Sequence, residues 1–218
     1  LTTPKRKAIV AAYLEKTERE EMGLIYGVGV NDRSSPARVN GKTTREYNLW
    51  DNMLRRCYSP TSHERQPTYI GCEVSDSFRH YSYFHEWANE QIGFRSTDYS
   101  GAWQMDKDLL VKGNKVYGEN TCVFVPQCLN RLLVKRGASR GACPIGVSWH
   151  KQTEMYKATC RADGVQQYLG CYSTAKDAFY AYKEFKENLI KRVAREYQDQ
   201  IDPRVFEALL NYAVEIND

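Results

Sequence analysis

The sequence has no Cys-x-x-Cys pair, few histidines and no long apolar run, and each shortage closes a class of function. Without paired cysteines the common zinc-ribbon arrangements are excluded. The seven cysteines are an odd number, scattered along the chain, and fit a reducing cytoplasm better than a disulfide scaffold. A membrane helix needs about 20 consecutive apolar residues, and the apolar runs fall far short of that. No secretory signal precedes the first charges, so a cytoplasmic location is the expectation. Of the four histidines, His63, His80 and His85 read as surface or packing residues. There is no internal repeat and no low-complexity segment.

What is present is ordinary globular material. The chain has 218 residues, 42% hydrophobic and 27% charged, enough for one or two cores. Net charge is only +4, but the cations are clustered. Lys5-Arg6-Lys7, Arg55-Arg56, Lys135-Arg136, Arg140 and Lys191-Arg192 are each a solvated helix face or a phosphate-binding patch.

Periodicity predicts an exposed helix over Thr3–Met22, a short strand over Tyr26–Val30 and a loop over Asn31–Lys42. A helix follows over Tyr47–Cys57, carrying Leu49, Trp50, Met53 and Leu54 on one face. Ser59–Pro67 reads as a polar loop, Tyr69–Val74 as a strand and Tyr81–Ile92 as a helix. Gln104–Val125 reads as strand, turn, strand, and Pro126 opens a helix to about Leu133. Residues 135–143, rich in Gly, Ser and cations, form the expected linker between a first domain, 1–134, and a second, 144–218.

The second domain has the clearest pattern. Three short alternating strands, around Pro144–Trp149, Tyr156–Arg161 and Tyr168–Tyr172, lead directly into a helix. Thr174 precedes Ala175-Lys176-Asp177, so its hydroxyl is placed to cap the amide of Asp177. Ala178, Tyr182, Phe185, Leu189 and Val193 then form a stripe that covers one sheet face, with Leu169 expected to point at it. Asp202-Pro203 starts a last helix, with Phe206, Leu209, Leu210 and Ala213 as its apolar side.

This string resembles the AP2/ERF DNA-binding domain over about forty residues: a Gly-Val strand, a strand ending in Arg, an aromatic-Leu-Gly strand, then Thr-x-x-Asp-Ala. The resemblance implies a free sheet face lying in the major groove of double-stranded DNA. Position by position it implies Ser148, His150, Thr159, Arg161, Gln166 and Tyr168 as DNA-binding residues, with Lys157 and Lys151 adding charge. The family usually has Arg at the positions of Ser148 and His150, which removes two strong guanine readers or phosphate anchors.

Upstream, Met105-Asp106-Lys107-Asp108, Gly113-Asn114-Lys115, Gly118-Glu119-Asn120-Thr121 and Asn130 resemble the HNH, or ββα-metal, nuclease motif. The resemblance implies Asp106 and Asn130 as ligands of Mg2+ or another divalent cation, and Asn120 as the residue that fixes the loop. Lys107 stands where the family has its general-base histidine. An unperturbed lysine has a pKa of about 10.4, so Lys107 is a poor base and a good phosphate anchor. Some units of this kind are braced by four cysteines. Cys57, Cys72, Cys122 and Cys128 are instead expected to be buried thiols, and zinc is not expected.

The expected fold is α+β: an HNH-like ββα unit with flanking helices, then an AP2-like three-stranded antiparallel sheet on one helix, plus a C-terminal helix. Together the two resemblances imply a phage-type homing-endonuclease-like protein with a metal-dependent phosphodiesterase site that is atypical at Lys107. The alternative is a non-catalytic DNA-binding or protein-interaction protein on a degenerate nuclease scaffold.

Overall fold

The computed structural model describes residues 23–99, 101–134 and 142–218. The expected helix Thr3–Met22, its Lys5-Arg6-Lys7 cluster and the basic residues Lys135, Arg136 and Arg140 lie outside the described residues. The chain is a mixed α+β protein of small sheets in two compact units, Leu1–Val125 and Pro126–Asp218. Among the described residues, no helix is long and apolar enough to cross a membrane.

The first unit is built on aromatic packing more than on strands. Helix α1, Arg45–Tyr58, starts where the Thr44 hydroxyl accepts from Tyr47 N at 3.3 Å. Its inner face buries Trp50, Met53, Leu54 and Cys57, while Arg55 and Arg56 sit in the last turn, favourably placed for the helix dipole. After α2 (Pro60–Arg65), a 3-10 turn (Pro67–Tyr69) and α3 (Asp76–Arg79), helix α4, Tyr81–Glu90, packs on α1. Phe78 and Trp87 rings lie 4.6 Å apart, Phe94 and Phe124 5.3 Å, and Trp50 Nε1 donates to Phe78 O at 2.7 Å. Each such ring contributes roughly 1.5–3 kcal/mol by leaving water. The Arg45 guanidinium lies over the Phe94 ring and donates to the carbonyls of Phe94 and Trp103.

Among the described residues, the strands here come only in pairs. They are β1 (Arg38–Val39) with β2 (Lys42–Thr43), and β3 (Glu73–Val74) in parallel with β7 (Val116–Tyr117). Further along, β4 (Thr97–Asp98) pairs with β5 (Gly101–Ala102), and β6 (Gln104–Asp106) with β8 (Val123–Val125). Four expectations change. The expected loop Asn31–Lys42 holds the β1–β2 hairpin, turned at Asn40 and Gly41. Tyr26–Val30 is a tight turn closed by an Ile25–Gly29 bridge, because Tyr26 and Gly27 both have positive φ, 52° and 76°. Ser59–Pro67 contains helix α2, started by Pro60, whose fixed φ suits a first helical turn. The expected strand Tyr69–Val74 shrinks to β3, since Tyr69 belongs to the 3-10 turn.

In the second unit α5, Gln127–Leu132, precedes β9 (Val147–His150), β10 (Met155–Ala162) and β11 (Val165–Tyr172). They form one antiparallel sheet of order β11-β10-β9. Helix α6, Ala175–Glu196, lies across it, and α7, Pro203–Leu210, packs on α6. The expected cap is present: Thr174 Oγ1 accepts from Asp177 N at 3.1 Å and donates to its carboxylate at 2.7 Å. Ala178, Tyr182, Leu189 and Val193 are buried against the sheet as expected, joined by Phe179 and Ile190, while Phe185 is half-buried. The Tyr182 ring sits directly over Gly146, where any Cβ would overlap it. Leu169 is the extra residue of a bulge opposite the Ala158/Thr159 step and is half-buried, its carbonyl accepting from the Tyr172 hydroxyl at 2.9 Å.

Candidate nucleic-acid interface

Strand register sorts the side chains of the three-stranded sheet into two faces, because residues paired across antiparallel strands share a face. Ala158 faces Val147 and Gly170, Cys160 faces Gln167, and Ala162 faces Val165. Ala158, Cys160 and Ala162 are buried, so this is the side that α6 covers. On the opposite side Arg161 pairs with Gln166, Thr159 with Tyr168, Lys157 with Ser148 and Cys171, and Met155 with His150. The fold therefore brings Ser148, His150, Lys157, Thr159, Arg161, Gln166 and Tyr168 onto one face. Ser148, Arg161, Gln166 and Tyr168 are exposed, Tyr168 at 65%, and the other three are half-buried.

The face is also partly preset. Arg161 Nε donates to Gly164 O at 3.1 Å, which holds the guanidinium against the β10–β11 turn. That turn is clamped from the helix side, where Arg192 Nη2 reaches both carboxylate oxygens of Asp163 at 3.1 and 2.8 Å. His150 Nδ1 lies 2.9 Å from Thr153 Oγ1. The Tyr168 phenol has its pKa raised, first by its hydrogen bond to Cys171. Two members of the face were not foreseen. Met155 follows from simple alternation two residues before Lys157, but Cys171 does not, because the bulge at Leu169 shifts the register of everything after it.

The nuclease-like loop is arranged differently from an acid–base site. Asp106 ends β6, and its Oδ1 accepts from Asp108 N at 2.9 Å and Leu109 N at 2.8 Å. Burial, and then the neighbouring Asp108, push its carboxyl up to about 6. Lys107 is 11% exposed, and its ammonium donates to Asn114 O at 2.9 Å, with Asp108 Oδ2 at 3.5 Å and the Tyr117 ring at 5.7 Å. Held between a carbonyl and a carboxylate, the Lys107 ammonium is a strut of this loop. The bracing amide is Asn114, which donates to Lys107 O at 2.8 Å and to Val116 O at 2.7 Å. Asn120, expected in that role, is exposed in the turn before Thr121. Asn130 is half-buried on α5, in the second unit.

His63 Nε2 lies 3.0 Å from Arg56 O, His85 packs edge-on to Tyr81, and His80 is buried, which lowers its pKa. Cys57, Cys72 and Cys122 are buried free thiols and Cys128 a half-buried one, and burial pushes Cys57 and Cys122 up to about 12. Among the described residues, no group of three or more His, Cys, Asp or Glu side chains gathers to hold a metal ion. Comparison of the chain with protein-family models, with curated proteins and with solved structures finds no match.

Proposed function

We propose that the protein binds double-stranded DNA through the open face of its β9–β11 sheet. The observation that carries this reading is the register itself. It places two cations, an exposed tyrosine and four polar side chains on the side of the sheet away from α6. Lys157 and Arg161 meet phosphates, and Gln166, Thr159, Ser148 and His150 offer donors and acceptors to base edges. The test is Lys157→Ala with Arg161→Ala. Both side chains leave the packed face untouched, so the melting temperature should hold while duplex affinity falls. The slope of log K against log salt should flatten by about two phosphate contacts, roughly 1.8. Unchanged affinity and slope would remove this face from the DNA surface.

A second reading adds metal-dependent phosphodiester cleavage at the Asp106 loop. Its support is the pair of carboxylates, Asp106 at the end of β6 and Asp108 two residues on, in one turn of the loop. Mg2+ or another divalent cation there would take an Asp106 oxygen and fill its remaining positions with water and DNA phosphate. Plasmid nicking by the purified protein with Mg2+ or Mn2+, lost in Asp106→Ala, tests it. Protein that binds DNA but never nicks it is the non-catalytic alternative, with Lys107 and Asn114 as scaffold.

A further inference from the structure

Between Arg33 and Arg45 the chain has no acidic residue and carries Arg33, Arg38 and Lys42. Its centre is the β1–β2 ribbon, in which Arg38 pairs with Thr43 and Val39 with Lys42. Asn40 and Gly41 turn the ribbon with φ of 49° and 73°, the paired positive values of a tight two-residue hairpin turn. Arg38, Val39, Asn40, Gly41 and Lys42 are all exposed, so the ribbon is open on both of its faces. Among the described residues, none of Arg33, Arg38 and Lys42 forms an ion pair.

A bare two-stranded ribbon is marginal by itself, yet this one stands on a rigid base. Thr44 N donates to Ala37 O at 3.0 Å, and Tyr81 OH, from the buried end of α4, donates to Pro36 O at 2.9 Å. The Thr44 hydroxyl also caps α1, so the ribbon runs directly into the helix that organises the first unit. The acids flanking it are occupied: Asp32 accepts from the Ser82 hydroxyl and from Ser34 N, and Glu46, in the first turn of α1, accepts from Arg95. The result is a basic, narrow arm with small residues at its tip, fixed at the root.

We infer that this arm is a second nucleic-acid contact, one that enters the major groove of B-form DNA. Two residue pairs and the Asn40-Gly41 tip, at about 3.3 Å per residue, give it a reach of roughly 7–10 Å. The major groove is about 12 Å wide and 8.5 Å deep and admits a two-stranded ribbon. Arg38 and Lys42, on opposite faces of the ribbon, then meet the two groove walls, and Arg33 a phosphate at the rim. The major groove of double-stranded RNA is too narrow to take it. This inference shares the partner class of the sheet-face reading and none of its residues.

The test uses the full chain and a random-sequence duplex, with Arg38→Ala/Lys42→Ala measured beside Lys157→Ala/Arg161→Ala. The arm variant should keep the wild-type melting temperature, lose about tenfold or more in DNA affinity, and flatten the salt slope by roughly 1.8. The charge-keeping pair Arg38→Lys/Lys42→Arg should retain the slope. Affinity for a double-stranded RNA of the same length should fall less than for DNA. An arm variant that binds like wild type overturns the inference, whatever the sheet variant does. Equal losses on DNA and RNA overturn groove entry. Loss in the arm variant alone upholds the arm and removes the sheet face, and a wild-type protein that binds no duplex removes both.

Discussion

Replacing Gly146 by alanine tests the packing of the second unit at its tightest point. Gly146 has φ of +76°, where a non-glycine residue costs roughly 1–2 kcal/mol. The added methyl would also overlap the Tyr182 ring, which is 5% exposed and has no room to swing away. Overpacking of this kind costs about 1–3 kcal/mol, so the sum is roughly 2–5 kcal/mol. The two terms separate in a double-mutant cycle. With Tyr182→Ala as background the clash is gone, and Gly146→Ala should then cost only the backbone term, leaving a coupling of about 1–3 kcal/mol. Amide hydrogen exchange on peptides from β9 and β10 reads the opening free energy of this unit directly. Exchange in Gly146→Ala within about 0.5 kcal/mol of wild type, or a coupling of zero, would refute the packing argument.

Asp106 gives a pH prediction. Its folded pKa of about 6 lies above the ordinary carboxyl value, so the native state binds the extra proton. Its contribution is full below about pH 4 and is lost as pH rises through about 6, on the order of 2–3 kcal/mol. Asp106→Asn keeps an acceptor for Asp108 N and Leu109 N and should flatten that part of the urea-midpoint profile, whereas an unchanged profile would dissociate it from Asp106. Thr174→Ala removes the α6 cap and should cost about 1 kcal/mol in urea unfolding; a cost near zero would mean the bond is replaced by water. Lys107→His should raise any metal-dependent nicking by restoring a base, by about a hundredfold or more; a folded, DNA-binding variant as inactive as wild type would leave the loop as scaffold alone.

The second unit was far more readable than the first, for a physical reason. Its strands are sequence neighbours, its helix is announced by Thr174 and Asp177, and alternation assigns most side chains to a face. The exception is the β11 bulge, signalled only by Gly170, whose φ of +124° marks the break. In the first unit the decisive partners are remote. Nothing local pairs Glu73 with Val116, which makes the parallel β3–β7 contact invisible to periodicity. Tyr26–Val30 alternates like a strand, and only Gly27 hints at the turn. Ser59-Pro60 carries a helix-start signal, but the polar residues that follow lack an apolar stripe to reinforce it. The strut that Lys107 forms with Asn114 and Asp108 leaves no trace in the sequence, because it exists only in the closed geometry of the loop.

The parallel pairing of β3 with β7 also bears on how the chain acquires its structure. The first unit is held by contacts of long sequence separation. Arg45 reaches the Trp103 carbonyl 58 positions on, and Trp50 meets Phe78 across 28. Each such closure carries an entropic cost before any packing offsets it, which slows assembly. The β9–β11 sheet and α6 close through turns of a few residues and face no such delay. Although the ribosome delivers the first unit earlier, the second should reach its native packing sooner once its own residues have emerged.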